Sequence, residues 1–260
     1  MNTKINAIIL DIDGVIWRNK VPIGDLEQLF ARINAMGLKY AFATNNSTKT
    51  VDTYVDLLTG FGIPVTEDQV FTSGSVTAQY LVRLFPTGGH LFVVGMPGLK
   101  ETLNRAGFGI GGQEPLAVVV GLDETFDYQA LKTASDFVRQ GVPFIGTNPD
   151  VSLPTPTGFN PGTGSLLAAV QAASGVKPQV IGKPKADIFT FALERLGTDR
   201  EHTLVIGDRL ETDIAGGQAA GCKVGVVLTG VSNADMARRW RPEVDIIADD
   251  LTALIEELDG

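Results

Sequence analysis

The chain is poor in the residues that most often announce chemistry. One cysteine, Cys222, stands in 260 residues, so no disulfide closes within the chain and no cysteine-rich zinc site can be assembled. Two histidines, His90 and His202, leave little material for a histidine metal cage or a Ser-His-Asp triad. Basic residues are also in deficit: 21 Lys and Arg face 30 Asp and Glu, a net charge of -9. Such a surface repels phosphate backbones and argues against nucleic acid as a partner. No stretch reaches the ~20 apolar residues of a membrane span. The opening MNTKINAIIL has neither the apolar run nor the small-residue cleavage site of a secretory signal. The expectation is a cytoplasmic protein with no membrane partner.

What the chain does have is apolar material, 44% of its residues, ample for one large domain or two modest ones. Short apolar runs alternate with helical patterns, and there is no internal repeat. Strands are expected at 5–10, 38–44 and 69–73, with helices at 25–36, 48–60 and 75–85. A second series follows, with strands at 90–95, 116–122 and 142–147 and helices at 98–106 and 127–140. The remainder reads as helix 165–174, strand 179–182, helix 185–196, strand 203–208, a helix near 212–220, and strands 223–229 and 244–249. Continuous apolar strands between helices predict an α/β architecture with parallel sheets covered on both faces. Turn-rich segments near 86–89 and 174–178 are candidate boundaries. Pattern alone fits two consecutive domains as well as an outer domain interrupted by an insertion.

The polar residues decide between these. Ligands of open α/β sheets gather at the carboxyl ends of strands, and four predicted strand ends carry chemistry. They are Asp11-Ile12-Asp13-Gly14, Thr44-Asn45-Asn46-Ser47, Gly182-Lys183-Pro184, and GDRLETDI with Asp208 and Asp213. All four lie in the outer segments. Clustered carboxylates repel one another unless a cation sits among them, and oxygen donors without histidine or cysteine suit Mg²⁺. Lys183, Thr44 and Asn45 are then placed to hold phosphoryl oxygens. One carboxylate aimed at phosphorus can form an acyl phosphate, and a second can protonate the leaving oxygen and then activate water. A main-chain bend after the first strand would bring both Asp11 and Asp13 to the site despite their separation of two.

In this order and spacing, DIDGVIW, TNNST, GKP and GDRLETDI resemble the four motifs of the haloacid dehalogenase superfamily, in its NagD-type, 4-nitrophenylphosphatase-like branch. The resemblance spans essentially the whole chain, including TNPD at 147–150 and PGTGS at 161–165. It implies a Rossmann-like catalytic core, residues 1–85 and 177–260, with an α/β substrate-specificity cap inserted over 86–176. It implies Asp11 as nucleophile and Asp13 as general acid/base. Thr44, Asn45 and Lys183 become the phosphate contacts. Mg²⁺ would be held by a side-chain oxygen of Asp11, the main-chain carbonyl of Asp13, Asp208 and, directly or through water, Asp213. Relatives often pair through their caps, which makes a homo-oligomer one expectation. One departure stands out: many relatives have a glycine-containing turn after the position of Trp17, where this chain has Arg18-Asn19-Lys20.

Several of these residues also fit simpler roles. Thr44 to Ser47 suit the cap of the following helix, and Asp213 suits a helix N-terminus. GFNPGTGS at 158–165 reads either as an anion cradle or as a tight loop entering a helix. GFGIGG at 107–112 follows no expected strand and is no dinucleotide fingerprint. Cys222 reads as a buried filler, both histidines as surface or boundary residues, and Trp17 as a wall of the site or a packing residue. The leading expectation is a Mg²⁺-dependent phosphatase acting on a small phosphate monoester through an aspartyl phosphate. A phosphotransferase or mutase, or a low-turnover phosphate-ligand-binding protein, are the alternatives. Asp13 argues against a dehalogenase, since a halide needs no acid to leave.

Overall fold

The computed structural model describes residues 4–155 and 158–259. It divides into two compact units. One comprises the chain up to Thr44, then Val51–Phe71, then the chain from Lys183 onward; the other comprises Asn45–Thr50 and Thr72–Gly182.

The first unit is built on a six-stranded sheet. Its order is Ile246–Ala248, Lys223–Val227, Thr203–Gly207, Ala7–Leu10, Lys39–Thr44, Val70–Thr72. Ala7–Leu10 pairs in parallel with Thr203–Gly207 on one side and Lys39–Thr44 on the other. From this central strand the chain first runs to one side of the sheet and later returns to the other. The carboxyl ends of Ala7–Leu10 and Thr203–Gly207 therefore flank a topological switch point, where open sheets of this kind take their ligands. Ile8, Ile9 and Leu10 are fully buried, and each contributes roughly 1.5–3 kcal/mol by leaving water. Ile8 and Leu10 share a core with Phe30 and Ile33 of the helix Leu26–Ala35 and with Leu254 and Ile255 of the helix Leu251–Asp259. Asp25 starts the first of these helices by accepting from the Gln28 amide at 3.1 Å.

The second unit carries a five-stranded parallel sheet, ordered Gln179–Val180, Phe144–Gly146, Val118–Val120, Gly89–Val94, Phe108–Ile110. Val118, Val120 and Phe144 pack with Ala134 and Val138 of the helix Tyr128–Arg139 and with Leu166, Leu167 and Val170 of the helix Thr163–Ser174. The predicted α/β architecture with parallel sheets is thus present in both units.

Local departures from the expected elements have physical causes. Phe108–Ile110, inside the glycine-rich GFGIGG, is an edge strand held by Gly89–Leu91; three residues, one of them glycine and flanked by three more glycines, carry no alternation to read. The hairpin Ser152–Thr155 with Gly158–Pro161 stands where only loops are expected; residues 156 and 157 of that loop lie outside the described ones. The helices Ala234–Arg239 and Leu251–Asp259 also escaped the pattern reading. The helix expected near 212–220 begins as a wider π turn, Leu210–Ile214, before Ala215–Ala219. Arg18-Asn19-Lys20 does form a tight hairpin without glycine: Trp17 pairs with Pro22 and Arg18 with Val21. Asn19 and Lys20 both take positive φ, 51° and 63°, the twist that a two-residue hairpin turn requires.

Candidate active site

Asp11 follows the central strand directly, and its amide donates to the Ile206 carbonyl at 2.8 Å. That bond sets it beside the end of the neighbouring strand, from which Asp208 follows. The bend foreseen after the strand is real. The Ile12 carbonyl accepts from the amides of Val15, Ile16 and Trp17. Ile12 is thereby driven into the core while Asp13 emerges exposed.

Lys183 is the centre of the cluster. It is 2% exposed, and its Nζ donates to Asp11 Oδ1 at 2.5 Å, Asp213 Oδ1 at 2.6 Å and the Ala43 carbonyl at 2.8 Å. All three donor hydrogens of the ammonium are accounted for. Asp213, 1% exposed, uses its other oxygen to accept from the Arg209 amide at 3.1 Å. Asp208, 3% exposed, accepts from the Val231 amide through Oδ2 at 2.7 Å. Oxygens of Asp11, Asp208 and Asp213 lie within 4.8 Å of one another.

The electrostatics follow from burial and charge count. Burial holds the Asp11 carboxyl well above its ordinary range; Lys183 opposes this, and Asp213 and Asp208 add to it. Asp208 is pushed up to about 6, by burial first and the charge of Asp213 second. Burial disfavours the charge on Lys183, but Asp11 and Asp213 outweigh it and raise the ammonium above its ordinary value. Three carboxylates face one buried ammonium, an excess of two negative charges. The donor set is oxygen only and its charge excess matches a divalent cation, so these residues fit Mg²⁺.

Backbone space is part of this arrangement. A Cβ on Gly14, whose φ is +90°, would come within 2.7 Å of the Asp208 carboxyl group. A Cβ on Gly207 would collide with the Asp213 side chain.

The remaining expected residues are more dispersed. Asp13 Oδ1 accepts from the indole Nε1 of Trp17 at 2.8 Å. Thr44 is buried at the end of its strand. Asn45 belongs to the second unit, where its amide donates to Asp150 Oδ2 at 3.0 Å. Its carbonyl accepts from Ser73 Oγ and Asn148 Nδ2. The amides of Gly162 and Gly164 donate to the carbonyls of Val151 and Asp150, so this loop secures the segment before it. Cys222 is buried, as expected, and His90 is exposed.

The sequence reading passed over the supports of the site. Thr229 Oγ1 donates to the Gly14 carbonyl at 2.5 Å. Ser232 donates its amide to the Asp208 carbonyl and accepts from the Leu210 amide. These residues follow the strand Lys223–Val227, so the strand-end rule that found the other motifs also points to them.

Two family models match the chain: the haloacid dehalogenase-like hydrolases over residues 8–109 and the HAD-hydrolase-like family over 180–254. An acid sugar phosphatase of Staphylococcus aureus (strain MRSA252) is 36% identical over 257 residues, 98% of this chain and 99% of the relative. The 5'-nucleotidase YutF of Bacillus subtilis (strain 168) is 35% identical over 227 residues, 87% of this chain and 88% of the relative. Among solved structures, the p-nitrophenyl phosphatase from Archaeoglobus fulgidus superposes with a TM-score of 0.92 at 32% identity, covering 98% of this chain and 99% of that one.

Proposed function

The chain belongs to the haloacid dehalogenase superfamily and is a phosphatase of that type, and we propose that it hydrolyses small phosphate monoesters with Mg²⁺ through an aspartyl phosphate on Asp11. The observation that carries this reading is the buried cluster of Asp11, Asp208 and Asp213 around Lys183 at the switch point of the sheet.

Asp11 bonds to phosphorus as the bond from phosphorus to the organic oxygen breaks. The proton of Asp13 passes to that oxygen, and the alcohol leaves. Asp13, now a carboxylate, takes a proton from water as the water oxygen bonds to phosphorus. The acyl-phosphate bond then breaks, releasing inorganic phosphate and restoring Asp11. Asp11, the Asp13 carbonyl and Asp208 would hold Mg²⁺. When bound, the cation offsets the charge of the phosphoryl oxygens. Both oxygens of Asp213 already accept from protein donors, which assigns it chiefly to holding Lys183. Lys183 keeps Asp11 aligned and favours its ionised form. Thr44 and Asn45 are the phosphate contacts by their place at the carboxyl end of the strand Lys39–Thr44.

The inserted segment 86–176 is assigned the choice of substrate. The names of the two relatives put sugar phosphates and nucleoside 5'-monophosphates first among candidates. Hydrolysis of 4-nitrophenyl phosphate in EDTA and after Mg²⁺ is restored tests the reading, together with Asp208→Ala. Activity should vanish in EDTA, return with Mg²⁺, and stay low in the variant at any Mg²⁺ concentration. Full turnover in metal-stripped protein would refute it. A panel of phosphorylated metabolites then ranks the substrates.

A further inference from the structure

Trp17 is 4% exposed, and a buried indole N–H needs an acceptor. The acceptor here is Asp13, an exposed carboxylate four residues earlier, at 2.8 Å. The ring itself has little freedom. It lies parallel to Tyr54, with centroids 6.3 Å apart and planes 1° apart, and tilts against Phe61 at 5.7 Å. Tyr54 is fully buried on the helix Val51–Gly60. The backbone is fixed as well, since the Trp17 amide donates to the Ile12 carbonyl and the Trp17 carbonyl accepts from the Gly14 amide at 2.8 Å. A solvent-facing side chain that would otherwise exchange rotamers is thus tied to the hydrophobic core by one bond.

We propose that Trp17 is a positioning residue for Asp13, its N–H holding Oδ1 so that Oδ2 is the oxygen that gives and takes the proton. Indole is a donor only. It therefore bonds Oδ1 both when Asp13 is a carboxylic acid with its proton on Oδ2 and when it is a carboxylate. The bond survives both steps: Oδ2–H protonates the leaving oxygen in the first, and Oδ2 receives a proton from water in the second. A proton on Oδ1 would break the bond to Trp17 and is disfavoured. This assignment rests on the reading of Asp13 as general acid/base.

The test is the single-turnover rate of phosphoryl transfer, with Mg²⁺, across aryl and alkyl phosphates of rising leaving-group basicity. Trp17→Phe keeps an aromatic ring in place and removes the N–H. It should slow alkyl phosphates by about tenfold while changing 4-nitrophenyl phosphate less than about twofold, because only a poor leaving group needs the acid. Asp13→Asn should show the same dependence more steeply, and adding Trp17→Phe to it should cost nothing further. Should Trp17→Phe fold poorly, 3-benzothienylalanine at position 17 replaces the N–H by sulfur within the same bicyclic shape. An equal loss across all leaving groups, no loss, or a full further loss in the Asp13→Asn background overturns the role of Trp17. If Asp13→Asn itself shows no dependence on the leaving group, the acid/base reading of Asp13 fails first, and the role of Trp17 with it.

Discussion

Lys183 Nζ sits 2.5 Å from Asp11 Oδ1, although 172 positions separate the two residues. The lysine returns to the first strand from the far side of the inserted segment, and both partners are nearly closed to water. Removing the cation would leave Asp11 and Asp213 buried without their partner. Breaking such a pair typically costs about 3–5 kcal/mol. Lys183→Met should therefore lower the thermal midpoint of the metal-free protein as well as abolish turnover. A variant that loses activity at unchanged stability would show that the ion pair contributes only to catalysis.

Asp11→Asn preserves size and most hydrogen bonding but removes the nucleophile of the proposed mechanism. Hydrolysis should fall to near background with the fold intact, far beyond a tenfold loss. Rapid-quench experiments with ³²P-labelled ester should trap an acid-stable phosphoprotein in the wild type and none in the variant. A variant retaining more than about a tenth of kcat would exclude covalent catalysis at this residue.

The acids of the cluster make the metal-free protein sensitive to pH in a defined direction. Asp208 is pushed from its ordinary 3.8 up to about 6 in the folded state, and Asp11 is raised as well. A raised carboxyl binds its proton more tightly folded than unfolded, so stability falls as pH rises through 6 and flattens above it. In EDTA the midpoint of the wild type should drop between pH 5 and 7.5 relative to that of Asp208→Asn. Mg²⁺ should reverse the trend, because protons compete with the cation for the same oxygens. Parallel pH curves for the two proteins in EDTA would contradict the assignment.

Cys222 offers a probe away from this chemistry. Burial pushes its thiol up to about 11, and the thiolate is the reactive form. Iodoacetamide at pH 7.5 should modify the native protein slowly and the unfolded chain quickly. Rapid labelling of the native protein would mean that the segment around 222 opens readily.

How much of this was legible beforehand depended on what each residue must do. The central strands were readable because Ile8, Ile9 and Leu10 are buried on both faces and leave an unbroken apolar run. Asp11, Lys183, Asp208 and Asp213 were readable because chemistry demands those residue types at strand ends. The short strand Phe108–Ile110 was not, since its neighbour rather than its own pattern holds it in the sheet. Nor were the supports from Thr229 and Ser232, whose small hydroxyls carry no signal until the topology brings residue 229 to Gly14 across 215 positions. Trp17 was ambiguous because it does two things at once, packing its ring and donating its N–H.

The empty space kept at Gly14 and Gly207 changes what a mutational map of this enzyme will look like. A methyl group at either position lands on Asp208 or Asp213, so Gly→Ala displaces a carboxylate without touching any group that reacts. In a saturation screen scored on turnover, residues with no side chain at all should rank beside the aspartates. The footprint of the chemistry on the sequence is therefore wider than its list of functional groups. A variant interpreted only by the loss of polar atoms would be misread as benign at the places where the acids have no room to move.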